Sequence, residues 1–168
     1  ITDGEVVLAE SGAITTYLIE RHGQGRLRPA IGSPERLRFT YWLHYAEGSL
    51  MPPLVMKLIF DRLPSSPMPF FVRPVARLIS AGFLRHYLEP QIGMHLDYLE
   101  GELARSPWFA GDEFSAADIQ MSFPIEAAAS RMGLGTSRPR LGDWLARIHE
   151  RPAYRRALEA GGEHEPLG

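Results

Sequence analysis

Apolar positions recur every three or four residues over most of the chain, a spacing that is typical of amphipathic helices. A long helix is expected from Pro34 onward, because Ser33 can cap it and proline is favoured in the first helical turn. A second long helix is expected over residues 75–104. Shorter helices are expected over residues 116–132, 140–150 and 153–160. The pattern therefore predicts a helical bundle over most of the chain.

Prolines are expected to interrupt the two long helices, because proline lacks an N–H group and its ring clashes with the preceding turn. Pro52 and Pro53 are predicted to kink or break the first helix, and Pro90 is predicted to bend the second. Residues 64–74 contain four prolines and are expected to be irregular.

The first 22 residues follow a different pattern from the bundle. Residues 5–9 are expected to form a short strand, with Asp3 and Gly4 in a hairpin turn before it. A helix is expected from Ser11, and residues 23–33 form a linker rich in glycine, proline and arginine. Because a two-stranded hairpin is marginal in water, we expect further sequence before Ile1 in the complete protein.

Composition narrows the class of protein. A chain of 168 residues with 45% apolar residues can bury one full core. The net charge of −2 supplies no basic field for phosphates, so nucleic acid is not an expected partner. The sequence lacks cysteine, which excludes disulfides, thiolate metal sites and a cysteine nucleophile within this chain.

The sequence also predicts neither a membrane partner nor a metal. No run of about 18 apolar residues is present, and no signal-peptide pattern opens the chain, so a cytoplasmic protein is expected. The six histidines do not form a ligand pair of the usual metal-binding spacing. Five scattered arginines are interpreted as solvated helix faces: Arg36, Arg38, Arg73, Arg77 and Arg85.

Four segments, taken in their order and spacing, resemble the glutathione transferase family, in its bacterial and fungal branch. They are LAESGAI at 8–14, YWLHYAEGSLMP at 41–52, WFAGDEFSAADI at 108–119 and IHERPAY at 148–154. The resemblance implies a mainly α fold, in which residues 34–168 form the all-α C-terminal domain of the family. Residues 1–22 would be the last hairpin and helix of its thioredoxin-like domain, and residues 23–33 the linker.

The resemblance also implies an activity. Glutathione would be the co-substrate, a small hydrophobic electrophile would accept its thiolate, and the protein would be a homodimer. The serine, tyrosine or cysteine that activates the sulfur in this family lies upstream of the segments found here, so no catalytic residue is assigned. Two alternatives stay open: a related glutathione-dependent reductase or dehalogenase, and a non-catalytic helical binding module.

Glu10 and Ser11 are the first candidates for binding glutathione. A helix begins at this point, and its free N–H groups and positive dipole end favour a carboxylate. The resemblance implies that Ser11 holds the γ-glutamyl carboxylate and that Glu10 meets the γ-glutamyl ammonium group. The alternative is a serine that only caps the helix beside a solvated glutamate; the other three segments favour the glutathione site.

His44 and Glu47 are further candidates for glutathione binding, because they lie three residues apart on one helix face. The resemblance implies that this face borders the glutathione site of the partner subunit. There His44 would bond the γ-glutamyl end and Glu47 would pair with the ammonium group. The alternative is a packed interface histidine and an exposed charge.

Two further sets of residues complete the candidates. The electrophile pocket is predicted to be lined by Tyr41, Tyr45, Met51 and Phe123, with ordinary core packing as the alternative, favoured for Tyr45 and Phe123. Ser115 and Asp118 have the spacing of a capping box at the start of a helix. We assign this pair to folding and not to catalysis.

Overall fold

The structure is a computed structural model that describes residues 1–161; the last seven residues of the predicted helical domain lie outside the described part. Two short strands open it, β1 (Thr2–Asp3) and β2 (Val6–Val7), paired antiparallel with Thr2 opposite Val7. Helix α1 (Ser11–Arg21) follows. The side chain of Asp3 ties the hairpin to this helix, because its Oδ2 lies 2.9 Å from both the Tyr17 hydroxyl and His22 Nε2.

The rest of the described chain is helical, as the pattern predicts. Two long antiparallel stretches come first, and three further helices complete the bundle. The helices are α2 (Pro34–Tyr45), α3 (Met51–Arg62), α4 (Arg73–Phe83), α5 (Glu89–Leu103), α6 (Ala116–Met132), α7 (Pro139–Glu150) and α8 (Pro152–Gly161). A π-helical turn joins α2 to α3 (Ala46–Leu50) and another joins α4 to α5 (Leu84–Leu88), while a 3₁₀ turn (Leu63–Ser65) follows α3.

Of the two outcomes predicted at Pro52 and Pro53, a kink or a break, the break does not occur, and Pro90 does not end its helix. Helical conformation continues from α2 into α3 and from α4 into α5, and a π turn precedes Pro52 in the first case and Pro90 in the second. In a regular α-helix the proline ring would clash with the carbonyl four residues earlier, which belongs to Gly48 or His86. Each of these residues lies inside the π turn, where the helix is widened by one residue and accommodates the ring.

Helix α6 is the central element of the bundle. It contacts α1, α2, α3 and α7, and ten of its residues are buried. Because such a helix is covered on nearly every side, any polar side chain that it carries needs a partner within the protein. The largest fully buried side chains of the core are Trp42, Leu50, Leu54, Leu88, Ile92, Leu96, Leu99, Phe109, Met121, Ile125, Leu141 and Trp144.

The capping box predicted at the start of α6 is present in the structure. Oδ2 of Asp118 accepts hydrogen bonds from the Ser115 N–H (2.9 Å) and hydroxyl (3.1 Å). Oδ1 accepts from the Phe109 N–H (3.0 Å) and from Trp144 Nε1 (3.2 Å). Burial raises the pKa of the Asp118 carboxyl, while these donors oppose the rise. One carboxylate therefore joins a loop, α6 and α7.

Candidate functional site

The first turn of α1 has free N–H groups that can bind an anion. Ser11 is the first helical residue, and the first turn contains no acidic side chain to meet the free N–H groups. Glu10, the residue before the helix, has a φ of 74°, in the left-handed region that residues other than glycine seldom adopt. Its side chain makes no cap hydrogen bond and is exposed. A strained backbone thus presents the helix start to solvent.

The Ser11 side chain is held by residues from two other elements. Its hydroxyl donates to Oε1 of Glu47 (3.1 Å), which lies in the first π turn. Nε2 of Gln120, on α6, donates to the Ser11 hydroxyl (2.8 Å) and to the same Glu47 oxygen (3.0 Å). The Thr15 hydroxyl, one turn further along α1, donates to Oε1 of Gln120 (3.3 Å). We call Ser11, Thr15, Glu47 and Gln120 the junction network.

The π turn contributes to the placement of Glu47. This turn inserts one extra residue into the helix just before Pro52, and insertions of this kind are frequent at functional sites. It therefore changes the direction in which side chains before and after it leave the helix. Glu47 contacts Ser11 of its own chain, so the predicted role of Glu47 on a ligand of the partner subunit stays without support from this contact.

Two members of the junction network, Thr15 and Gln120, were not predicted from the sequence, and Gln120 is the one that carried a signal. Its side chain is buried on α6, a helix whose other buried positions are mostly apolar. A glutamine at a core-facing position of an apolar helix must find partners inside the protein, since an unpaired buried amide is costly. That mismatch between residue type and position is the signal that would have identified it.

His44 lies apart from the junction network, on a shallow hollow of about 380 Å³. Its side chain is exposed and makes no hydrogen bond within residues 1–161. Glu47 does not line this hollow, and a common role of His44 and Glu47 on one ligand stays a prediction. The lining residues are Leu37, Thr40, Tyr41, His44, Tyr45 and Ser49.

Two of the four residues predicted for the electrophile pocket, Tyr41 and Tyr45, line this hollow. Tyr41 is half exposed at the hollow, but Tyr45 is mainly part of the core. Met51 packs against the core and Phe123 is partly buried on α6, and neither lines the hollow. A single pocket from Tyr41, Tyr45, Met51 and Phe123 therefore stays a prediction, and Tyr45 and Met51 pack against the core.

Tyr45 and His95 form a buried polar pair below the hollow. The Tyr45 hydroxyl lies 2.5 Å from Nδ1 of His95. Burial raises the pKa of Tyr45 and lowers the pKa of His95, so both groups are held neutral. Nearby, the Tyr98 hydroxyl donates to the Tyr41 hydroxyl (3.2 Å), and burial raises the pKa of Tyr98 as well. These tyrosines are suited to packing and hydrogen bonding, not to acid–base work near neutral pH.

Two features are absent from the part of the chain that the structure describes: a cluster of metal ligands and a membrane-spanning helix. Residues 1–161 contain no group of three or more His, Cys, Asp and Glu side chains that could hold a metal ion. Across the same range, none of the helices combines the length and the apolar character needed to cross a bilayer.

Comparison with known proteins supports the family resemblance of the four sequence segments. A family model described as the glutathione S-transferase C-terminal domain matches residues 84–152. The chain is 32% identical over 159 residues to glutathione S-transferase 3 of Schizosaccharomyces pombe, covering 95% of this chain and 65% of that protein. It is 31% identical to glutathione S-transferase 3 of Zea mays, covering 95% of this chain and 69% of that protein. The chain belongs to the glutathione transferase family.

Further similarities place this chain among other members of the family. It is 31% identical to the Escherichia coli disulfide-bond oxidoreductase YfcG, over 90% of this chain and 63% of that protein. Its fold matches the solved glutathione S-transferase of a sphingomonad in complex with glutathione, with a TM-score of 0.66 and 27% identity. That match covers 94% of this chain and 69% of the solved one. The chain thus spans about two thirds of the length of its relatives.

Proposed function

We propose that the complete protein is a glutathione transferase that conjugates the glutathione thiolate to hydrophobic electrophiles, as in detoxification. The observation that carries the proposal is the junction network at the start of α1, because it holds the acidic side chain of Glu47 beside a helix end that can bind a carboxylate. Residues 1–22 would be the end of a thioredoxin-like domain, followed by the linker 23–33 and the helical domain.

The geometry suits the charged end of an amino acid. The free N–H groups of Ser11 and Gly12 can bind a carboxylate. Two acidic side chains, those of Glu10 and Glu47, lie beside them and can meet an ammonium group. Oε1 of Glu47 accepts two of the four hydrogen bonds of the junction network, from Ser11 and Gln120, which leaves its second oxygen for the ligand. A γ-glutamyl group carries a carboxylate and an ammonium group on one carbon, and it matches this pair of charges.

The proposed reaction uses the thiolate as the nucleophile. Its sulfur bonds to an electrophilic carbon, and the leaving group departs with the electron pair of its former bond. Residues of this chain would hold the γ-glutamyl end and so bring the sulfur close to the acceptor. We propose that the group activating the sulfur belongs to the part of the relatives' length that this chain does not match.

A homodimer is also part of the proposal. The outer face of α2 exposes Leu37 and Tyr41, next to Tyr98 on α5, and exposed apolar side chains of this kind are common at subunit interfaces. His44 borders the same face, which is compatible with a hydrogen bond to glutathione held by a partner subunit. Light scattering tests this: a monomer at high concentration would remove the cross-subunit role of His44.

Binding of S-hexylglutathione to the full-length protein tests the site, since this analogue needs no sulfur activation. Calorimetry should show that Ser11→Ala and Glu47→Gln each weaken binding about tenfold, the effect of losing one charge-assisted hydrogen bond. Ser130→Ala, an exposed serine on α6, is the matched control. If both site variants bound the analogue like the unaltered protein, the assignment would fail.

One alternative activity has a specific observation behind it. Similarity to the disulfide-bond oxidoreductase of Escherichia coli equals that to several transferases, so a glutathione-dependent reductase on the same site is the second candidate. Parallel assays with a chloronitrobenzene and a small disulfide would separate the two. The presence of the junction network argues against a non-catalytic module.

We also propose a cytoplasmic location, because a sequence without cysteine fits a reducing compartment.

A further inference from the structure

A hydrogen-bonded turn at the far end of the α3–α4 hairpin presents two phenylalanines to solvent. The Val72 N–H donates to the Pro69 carbonyl (3.0 Å), which places Phe70 and Phe71 at the corner of the turn. Phe70 is 81% exposed and Phe71 is 68% exposed, and their rings meet edge to face at 5.7 Å. Two large aromatic side chains held outward on a short turn are unusual on a protein surface facing only water.

The apolar surface continues along α4. Val75, Leu78 and Ile79 are each more than half exposed, Leu78 by 76%. The opposite side of the helix is buried through Ala76 and Ser80, and the Ser80 hydroxyl donates to the Phe60 carbonyl of α3. Helix α4 therefore shows one apolar face to the bundle and a second one to solvent. We call the residues of the exposed surface the tip surface: Phe70, Phe71, Val75, Leu78 and Ile79.

Positive charge surrounds the tip surface. Residues 62–88 contain four arginines and not one acidic residue, although acidic residues outnumber basic ones by 20 to 18 in the whole chain. Arg73 and Arg77 lie on α4 itself and are exposed. The long side chain of an arginine can lie along apolar surface while its guanidinium group reaches outward. The interpretation of these two arginines as ordinary solvated positions therefore misses their shared location.

The tip surface is remote from the junction network. Helix α3 has 12 residues and carries the chain about 18 Å away from the π turn that holds Glu47, at about 1.5 Å per residue. The tip surface is thus a separate feature of the molecule, and its role does not depend on the proposed function.

We propose that the tip surface docks on an anionic phospholipid bilayer. Exposed aromatic and aliphatic side chains beside arginines are the composition of segments that lie in the membrane interface. Phe70 and Phe71 would enter the level of the headgroups, and Arg73 and Arg77 would pair with lipid phosphates. In this arrangement the helical bundle would lie on the membrane surface. The expectation of no membrane partner considered only spanning segments and signal peptides.

Flotation of the full chain with lipid vesicles tests the proposal. We expect binding to vesicles containing phosphatidylglycerol, weaker binding to pure phosphatidylcholine, and release at high salt. The double variant Phe70→Ser/Phe71→Ser should weaken binding more than about tenfold, given the apolar area that each ring buries. The double variant Arg73→Gln/Arg77→Gln should lose about fivefold per arginine, on anionic vesicles only.

Matched controls keep the test specific. Ile31→Ser removes an apolar side chain that is 85% exposed outside the tip surface, and Arg156→Gln removes an exposed arginine of α8. Both should bind vesicles like the unaltered protein, and circular dichroism should show the same thermal unfolding for all variants. Three results would overturn the proposal: no binding of the unaltered protein, equal binding of the phenylalanine variant, or a phenylalanine variant that changes only the oligomer mass in light scattering.

Discussion

The side-chain nitrogen of Gln120 lies 2.8 Å from the Ser11 hydroxyl, so the central helix of the bundle directly holds the first residue of α1. The same nitrogen lies 3.0 Å from Oε1 of Glu47, and the amide oxygen accepts from Thr15. The side-chain amide of Gln120 therefore uses both of its donor hydrogens and its acceptor. The candidate glutathione site is preorganised by the helical domain, although the binding N–H groups belong to α1.

Gln120→Leu should weaken binding of S-hexylglutathione to the full-length protein. Leucine has a similar volume but cannot donate, so Ser11 and Glu47 lose their common partner. We expect a roughly tenfold higher Kd by calorimetry, the effect of one lost hydrogen bond to a charged group. Gln91→Leu on α5 is the matched control. An unchanged Kd for Gln120→Leu, with normal thermal unfolding, would show that the network does not position the site.

Asp118→Ala should destabilise the protein by about 3 kcal/mol, more than loss of a helix cap alone. The substitution leaves the buried N–H groups of Phe109 and Ser115 and the Trp144 indole without their acceptor. Urea unfolding measures this change. Asp143→Ala, an exposed position of α7, should stay within about 0.5 kcal/mol of the unaltered protein. A loss below about 1 kcal/mol for Asp118→Ala would mean that other acceptors replace the carboxylate.

His95 should make the free energy of unfolding depend on pH. Burial lowers its pKa in the folded protein, while the unfolded chain takes up the proton near 6.5. The stabilising contribution is therefore complete above about pH 6.5 and is lost as the pH falls through the folded-state pKa. In the tautomer whose Nδ1 accepts from the Tyr45 hydroxyl, protonation also removes that acceptor, which acts in the same direction.

Urea unfolding between pH 7 and pH 5 measures this effect. The unaltered protein should lose stability over this interval, and His95→Gln should lose less, because it removes the titrating group. His86→Gln, an exposed histidine in the second π turn, is the control and should keep the pH dependence of the unaltered protein. If His95→Gln and His86→Gln behaved alike, the pH dependence would have another origin.

Local patterns predicted the helices and the capping box because these depend on residues three or four apart. The Ser115–Asp118 hydrogen bond is such a case, whereas the bonds of Asp118 to Phe109 and Trp144 depend on how the loop and α7 pack. The junction network could not be predicted either, because it also depends on how distant elements pack. Gln120 meets Ser11 across 109 positions of sequence, and only the packing of α6 on α1 brings them together.

At the prolines, the local rule left more than one outcome open. The clash of Pro52 with the preceding turn is real, yet the helix responds by adding a residue to that turn instead of ending. Tertiary packing favours this outcome, because α3 continues to bury Leu54 against the core. The same π turn carries Glu47, so the proline has a part in shaping the candidate site.

Tyr154→Phe should loosen α8 without unfolding the bundle. The Tyr154 hydroxyl donates to Oε1 of the buried Glu126 (3.0 Å), which also faces Nε2 of His149 (3.0 Å). Burial and the Glu126 carboxylate raise the pKa of Tyr154 to about 12, so the hydroxyl keeps its proton under ordinary conditions. Removing it leaves Glu126 with one partner fewer, and we expect a loss of about 1 kcal/mol.

Hydrogen exchange locates this loss. Amides of α8 should exchange about fivefold faster in Tyr154→Phe, whereas amides of α6 should keep the protection of the unaltered protein, because local opening of a terminal helix costs less than global unfolding. Tyr87→Phe removes the hydroxyl of an exposed tyrosine and should change neither set of rates. Equal acceleration in α6 and α8 would contradict the prediction, since it would mean that the Tyr154–Glu126 bond stabilises the whole bundle and not the attachment of its last helix.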